Sequence, residues 1–135
     1  MKLTPTNKKG IQMGLTHLTV QLKSFTLGKT YRSQFLVDTG ATDSLAPAAK
    51  LRKIGIKVIG KMAYELANGS IVEYEYGLAE ISFMNETTAG RVIFGPDGVE
   101  PILGVTALES VGVMVDPASR TLKKLPTIPL IRSVA

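Results

Sequence analysis

Between Leu18 and Lys23, apolar and polar residues alternate one by one: Leu18, Val20 and Leu22 on one side, Thr19, Gln21 and Lys23 on the other. A period of two puts each set on one face of a pleated strand, so the stretch predicts a half-buried β-strand. The run Tyr31-Arg32-Ser33-Gln34-Phe35-Leu36-Val37 reads as its hairpin partner across a Leu27-Gly28-Lys29 turn, and its apolar end predicts burial on both faces. Three more strand-like runs, KMAYEL, SIVEYEYGLAEISF and GRVIF, are separated by Asn68-Gly69 and by the stretch from Met84 to Gly90, and Gly95-Pro96-Asp97-Gly98 follows the last. Asn-Gly between alternating strands is a strong hairpin signal, because both central residues of a type I′ turn need positive φ. A protruding hairpin with its tip at Asn68-Gly69 is therefore expected. Residues 47–54, after a proline, and roughly Thr106 to Ser110, ended by Gly112, are short helix candidates. Val111, Val113 and Val115 alternate once more before a turn at Asp116-Pro117. The reading is an all-β fold with one or two short helices, and the regular spacing of its turns predicts a closed β-barrel.

A chain of 135 residues with 44% hydrophobic and 20% charged residues suits one folded domain. Residues 1–12 are polar and lysine-containing and read as a loosely ordered extension; 13–125 form the domain, and 126–135 a tail read either as a dimer-interface strand or as a free end, its two prolines disfavouring a long regular strand. With no cysteine and His17 as the only histidine, a disulfide framework, a thiolate site, a histidine-based triad and a multi-histidine metal site all lack their residues. No metal and no cofactor are expected. Sixteen basic against eleven acidic residues give a net charge of +5, spread in small clusters such as Lys50 to Lys53 and Arg120 to Lys124. Without a long basic run or a tryptophan for base stacking, this reads as a solubilising surface, and no nucleic-acid partner is expected. No stretch approaches the roughly 20 apolar residues of a membrane span, and the N-terminus lacks the apolar core of a signal peptide, so the expectation is cytoplasmic, away from membranes.

Several short motifs dissolve on inspection. Gly28-Lys29-Thr30 lacks the upstream glycine of a phosphate-binding loop, since Lys23 stands there, and a strand follows where a helix is needed. Asn68-Gly69-Ser70 and Asn85-Glu86-Thr87 match a glycosylation acceptor but read as plain turns. What remains is Phe35-Leu36-Val37-Asp38-Thr39-Gly40-Ala41-Thr42, an apolar strand that delivers a carboxylate into a cluster of small residues. The Asp-X-Gly-X-Thr phosphate loop of sugar kinases and actin-like ATPases has this spacing, yet needs two large α/β domains. An ordinary strand-end turn accounts for the fragment equally well.

The rest of the chain separates these readings. FLVDTGAT resembles the catalytic loop of the aspartic proteases, and its single occurrence in a short chain points to their retropepsin-like, retroviral-type branch. A flap-like hairpin at 62–75, an apolar RVIFGP strand and PILGVTALESVG, similar to that family's apolar-Ile-Leu-Gly strand and short helix, follow in order. The resemblance runs from about Leu15 to Leu125 and is closest to prokaryotic members of similar size. It implies an acid-protease barrel with a flap, acting on polypeptides without a cofactor.

One chain carries one such aspartate, and hydrolysis by carboxylates uses two, one accepting a proton from water and one polarising the scissile carbonyl. With no internal repeat, the second would come from a second chain, making a homodimer with the site on its twofold axis and Asp38 held at a surface that the second copy buries. Two close carboxylates would share one proton and favour acidic conditions, as the dyad used as a standard example of coupled titration does. By resemblance Asp38 is the catalytic acid and base, Thr39 reaches across the axis, and Gly40 lets backbone groups approach the carboxylates. Ala41 and Asp43 would line the substrate cleft, and Ala67, Asn68, Gly69 and Ser70 would close over an extended peptide. Viral members often carry Ala-Asp-Asp where Ala41-Thr42-Asp43 stands, and glycine-rich flap tips where this chain has Asn68-Gly69. Ile102, Leu103 and Gly104 would pack beneath the catalytic loop. A domain of this family that grips extended polypeptides without cutting them is the alternative.

Overall fold

The first hairpin forms as the alternation predicts: β1 (Thr16–Lys23) and β2 (Thr30–Val37) pair antiparallel, from Thr16 opposite Val37 to Lys23 opposite Thr30. The computed structural model describes residues 16–116, 118–119, 121–128 and 130. The expected extension at 1–12 lies outside them; of the tail, only 126–128 and 130 are described, and no strand is assigned there. Val20 and Leu22 point into the core, and Phe35, Leu36 and Val37 are all buried, the double burial that the run of apolar residues implied.

The chain then makes β3 (Ser44–Pro47), α1 (Ala48–Lys53), β4 (Gly60–Glu65), β5 (Ile71–Phe83), β6 (Glu86–Gly95), β7 (Ile102–Leu103), α2 (Val105–Ser110), β8 (Val113–Asp116) and β9 (Thr121–Lys124). Seven strands form one sheet in the order β1-β2-β7-β3-β6-β5-β4, with β1 also pairing with β5, and β8 and β9 form a separate ribbon. Among the described residues the fold is mostly β with two short helices. Each helix is six residues long, too short to be stable alone; Leu51 anchors the first, and Ala107 and Leu108 the second, in a core shared with Val20, Phe35, Val37, Ile81, Phe83, Val92 and Leu103. No helix among the described residues is long and apolar enough to cross a membrane.

Two turns differ from expectation. β6 begins at Glu86, so Met84 to Gly90 is not a connecting segment; Phe83 faces Glu86 across a two-residue turn in which Met84 and Asn85 both have positive φ. That is the twist of a type I′ turn without glycine, which hid the hairpin. At the other hairpin only Gly69 has positive φ, at 87°. Gly69 N–H donates to Leu66 O at 2.9 Å and Leu66 N–H to Ser70 O at 2.8 Å, so the tip is a three-residue loop whose glycine takes the left-handed position, not a type I′ turn.

The placement of β7 decides the geometry of the site. It runs parallel to β2, with Leu36 opposite Ile102 and Val37 opposite Leu103, and antiparallel to β3, with Leu45 opposite Ile102. A segment from late in the chain thus threads between the two strands that flank Asp38.

Candidate active site

Asp38 follows the last residue of β2, and its backbone N–H donates to Leu103 O at 3.1 Å. The turn after it closes on itself: Ala41 N–H donates to Asp38 O at 3.1 Å, and Gly40 N–H to the Asp38 Oδ1 at 2.9 Å. The next residues are fixed from the far side, where Val105 N–H donates to Ala41 O at 2.8 Å and Thr106 N–H to Thr42 O at 3.1 Å. The loop's orphan backbone groups are therefore satisfied by the start of α2, a distant piece of sequence.

Gly104 explains how α2 comes so close. A Cβ there would lie 2.6 Å from the Asp43 carbonyl carbon and 2.7 Å from the carbonyl oxygens of Asp43 and Thr42. Its N–H donates to the buried Ser44 Oγ at 3.0 Å. The Ile102-Leu103-Gly104 stretch thus lies against the Asp38 loop as expected, with Leu103 fully buried.

The Asp38 side chain is 1% exposed in the single chain. The expectation that it lies on a surface awaiting burial by a second copy is corrected on this point; exposed Thr39 and Gly40 stand beside it instead. Its Oδ1 is held by Gly40, while Oδ2 is buried with no hydrogen-bond partner among the described residues. An unpaired buried acceptor costs about 1–3 kcal/mol, and more when charged. Such a defect is tolerated where chemistry uses it.

Asp43 is half-buried, and its Oδ2 accepts a hydrogen bond from the Tyr64 hydroxyl at 2.6 Å. Burial, and then the hydrogen bond and negative charge of Asp43, push the Tyr64 phenol up to about 12, against the opposing pull of the Arg91 guanidinium. Arg91, from β6, lies 4.3 Å from the centre of the Tyr76 ring and contacts the Met62 sulfur. Sequence reading missed Tyr64, Arg91 and Ser44. A lone arginine heading the apolar RVIF run and a lone aromatic in KMAYEL were the available signals.

The other expected substrate contacts stand apart. Ala67, Asn68, Gly69 and Ser70 are exposed, and Asn68 Oδ1 accepts from Ser70 N–H at 2.9 Å and from Ser70 Oγ at 2.7 Å. Among the described residues no hydrogen bond joins this tip to the Asp38 loop, and no group of three or more His, Cys, Asp or Glu could hold a metal ion.

A buried aspartate on a Thr-Gly turn, braced by an Ile-Leu-Gly strand and joined through Asp43 to a hairpin, fits the aspartic-protease class. Residues 24–110 match the model of the family described as gag-polyprotein putative aspartyl protease, and the chain belongs to this retropepsin-like family. No curated protein matches it.

Proposed function

We propose that the chain is an active aspartic endopeptidase that works as a homodimer, with a water held between two Asp38 carboxylates. The observation that carries this reading is the Asp38 Oδ2, buried and without a hydrogen-bond partner among the described residues, at the end of a braced loop. One carboxylate accepts a proton from water as its oxygen attacks the peptide carbonyl, and the other, protonated, donates to the carbonyl oxygen. Two full negative charges this close would repel strongly, so the pair holds one proton.

Residues 13–125 are the protease domain, its strands closing as a barrel. Thr39 and Gly40, exposed beside Asp38, would meet the partner chain first, and covering residues would part to admit water. Ala41 and Asp43 border the cleft, and Ala67, Asn68, Gly69 and Ser70 cover an extended peptide. The tail at 126–135 would add to the dimer contact.

Burial of Asp38 in the single chain also favours a second reading, a domain that binds extended polypeptides along the free edge of β4 without cutting them. Hydrolysis of a broad peptide library from about pH 3 to pH 7, by the wild type and Asp38→Asn, separates the two. Turnover by the wild type alone supports the protease; equal rates, or tight binding without cleavage, removes it. Light scattering on the same samples reads the dimer.

A further inference from the structure

Beyond its pairing with β6, which ends at Tyr76 opposite Ile93, the first part of β5 pairs, among the described residues, only with β4, and β4 is the edge of the sheet they form. Residues 60–75 therefore form a free-standing two-stranded hairpin, a structure of marginal stability by itself. Along β4 the residues from Lys61 to Ala63 and Glu65 are exposed; Tyr64 is half-buried, and it lies one position from the strand's end. The Tyr64 hydroxyl on Asp43 reaches from the hairpin to the loop that carries Asp38. Arg91 sits at the same place: it contacts Met62 on the hairpin, stacks on Tyr76 at its root, and lines with Thr42 and Asp43 a recess beside the loop.

We propose that Tyr64 is a latch that positions the flap. Its hydroxyl, donated to the Asp43 carboxylate, ties the hairpin to the loop that carries Asp38, and Arg91, against Met62 on the hairpin and beside Asp43 in the recess, supports both partners. A neutral phenol donating to a carboxylate is a charge-assisted bond, stronger than an ordinary one. Phenol ionisation would convert it into repulsion, and the environment of Tyr64 holds that proton in place. In the free chain Asp43 is thereby a strut between loop and flap, with one carboxylate oxygen already taken.

The latch rests on the protease reading only for its kinetic consequence, so the primary test is independent of activity. Amide hydrogen exchange of Leu66 to Ser70 is followed in the wild type, Tyr64→Phe, Asp43→Ala and the double variant, with thermal melts as a control on global folding. Tyr64→Phe is expected to speed exchange at the tip by about tenfold with little change in melting temperature. The Asp43→Ala change and the double variant should do no more than Tyr64→Phe alone, because both remove the same bond. Unchanged tip exchange in Tyr64→Phe, or additive effects of the two substitutions, would overturn the latch. Where the wild type cleaves peptides, Tyr64→Phe should raise KM several-fold with a smaller change in kcat; an unaltered KM also counts against it. A wild type without turnover defeats the protease reading and leaves the exchange result to decide the latch.

Discussion

Gly104 and Gly69 lie on the two sides of the proposed cleft, and they are glycines for opposite reasons. Gly104 has an extended backbone, φ −86° and ψ 167°, which any residue can adopt; it is glycine because carbonyl groups of Thr42 and Asp43 occupy the space of a side chain. Gly69 has φ +87° and nothing within 4 Å of a hypothetical Cβ; it is glycine because the turn at the tip needs that backbone. One site is dictated by packing, the other by conformation. The Asp38 loop is clamped by distant sequence through backbone bonds on both sides, whereas the β4–β5 hairpin bends on its own turn and touches the body through a few side chains. A loop that must hold a carboxylate in register gains from the first arrangement, and a cover that must lift gains from the second.

The strongest test of this contrast is Gly104→Ala, which pushes a methyl group into backbone that cannot swing aside. Overpacking of that kind costs about 3 kcal/mol or prevents folding, read as a shift of the urea unfolding midpoint. Ser44→Ala should cost about 1–3 kcal/mol in the same assay, because the Gly104 N–H loses its buried acceptor. Asp38→Asn is expected to move the other way: replacing a buried, half-partnered carboxylate with a neutral amide should stabilise the single chain by about 1 kcal/mol or more, and a clear loss of stability would refute the burial argument. Gly69→Ala, free of clashes, should cost only about 1 kcal/mol for its left-handed φ.

The smallest effect is visible only in alkali. Tyr64 lies at about 12 in the folded protein against its ordinary 10.0, so the fold favours the neutral phenol. The stability this adds is complete below about pH 10 and is lost as the pH rises through about 12. Ultraviolet titration of phenolate absorbance in the wild type and Tyr64→Phe should show one late-titrating tyrosine disappear. If none titrates late, the burial of the Tyr64 hydroxyl together with its hydrogen bond to Asp43 does not hold in solution.

Much of the sheet was legible because alternation is local: β1, β2, β8 and the flap strands announce themselves by period two, and α2 by its flanking Gly104 and Gly112. The start of β6 was not legible. Turn chemistry is usually read from glycine, and Met84-Asn85 adopts the left-handed pair without one. Asp38, Thr39 and Gly40 were singled out by their place after an apolar strand, and the family match covers them. Tyr64 and Arg91 could not be placed, since their partners lie across the sheet and no periodicity encodes a contact between β4, β6 and the loop at Asp43.

The sequence by itself determined that strands would form, where most of them turn, and that one aspartate would be carried to the end of a buried strand. Those follow from neighbours a few residues apart, through pleat, turn geometry and the burial of alternate side chains. The tertiary structure alone decided that β7 threads between β2 and β3, that Gly104 must lack a side chain, and that Asp38 is already buried in one chain with an oxygen that no described residue pairs. Close approach of segments distant in sequence is a matter of packing in three dimensions, and no local pattern of residues carries it.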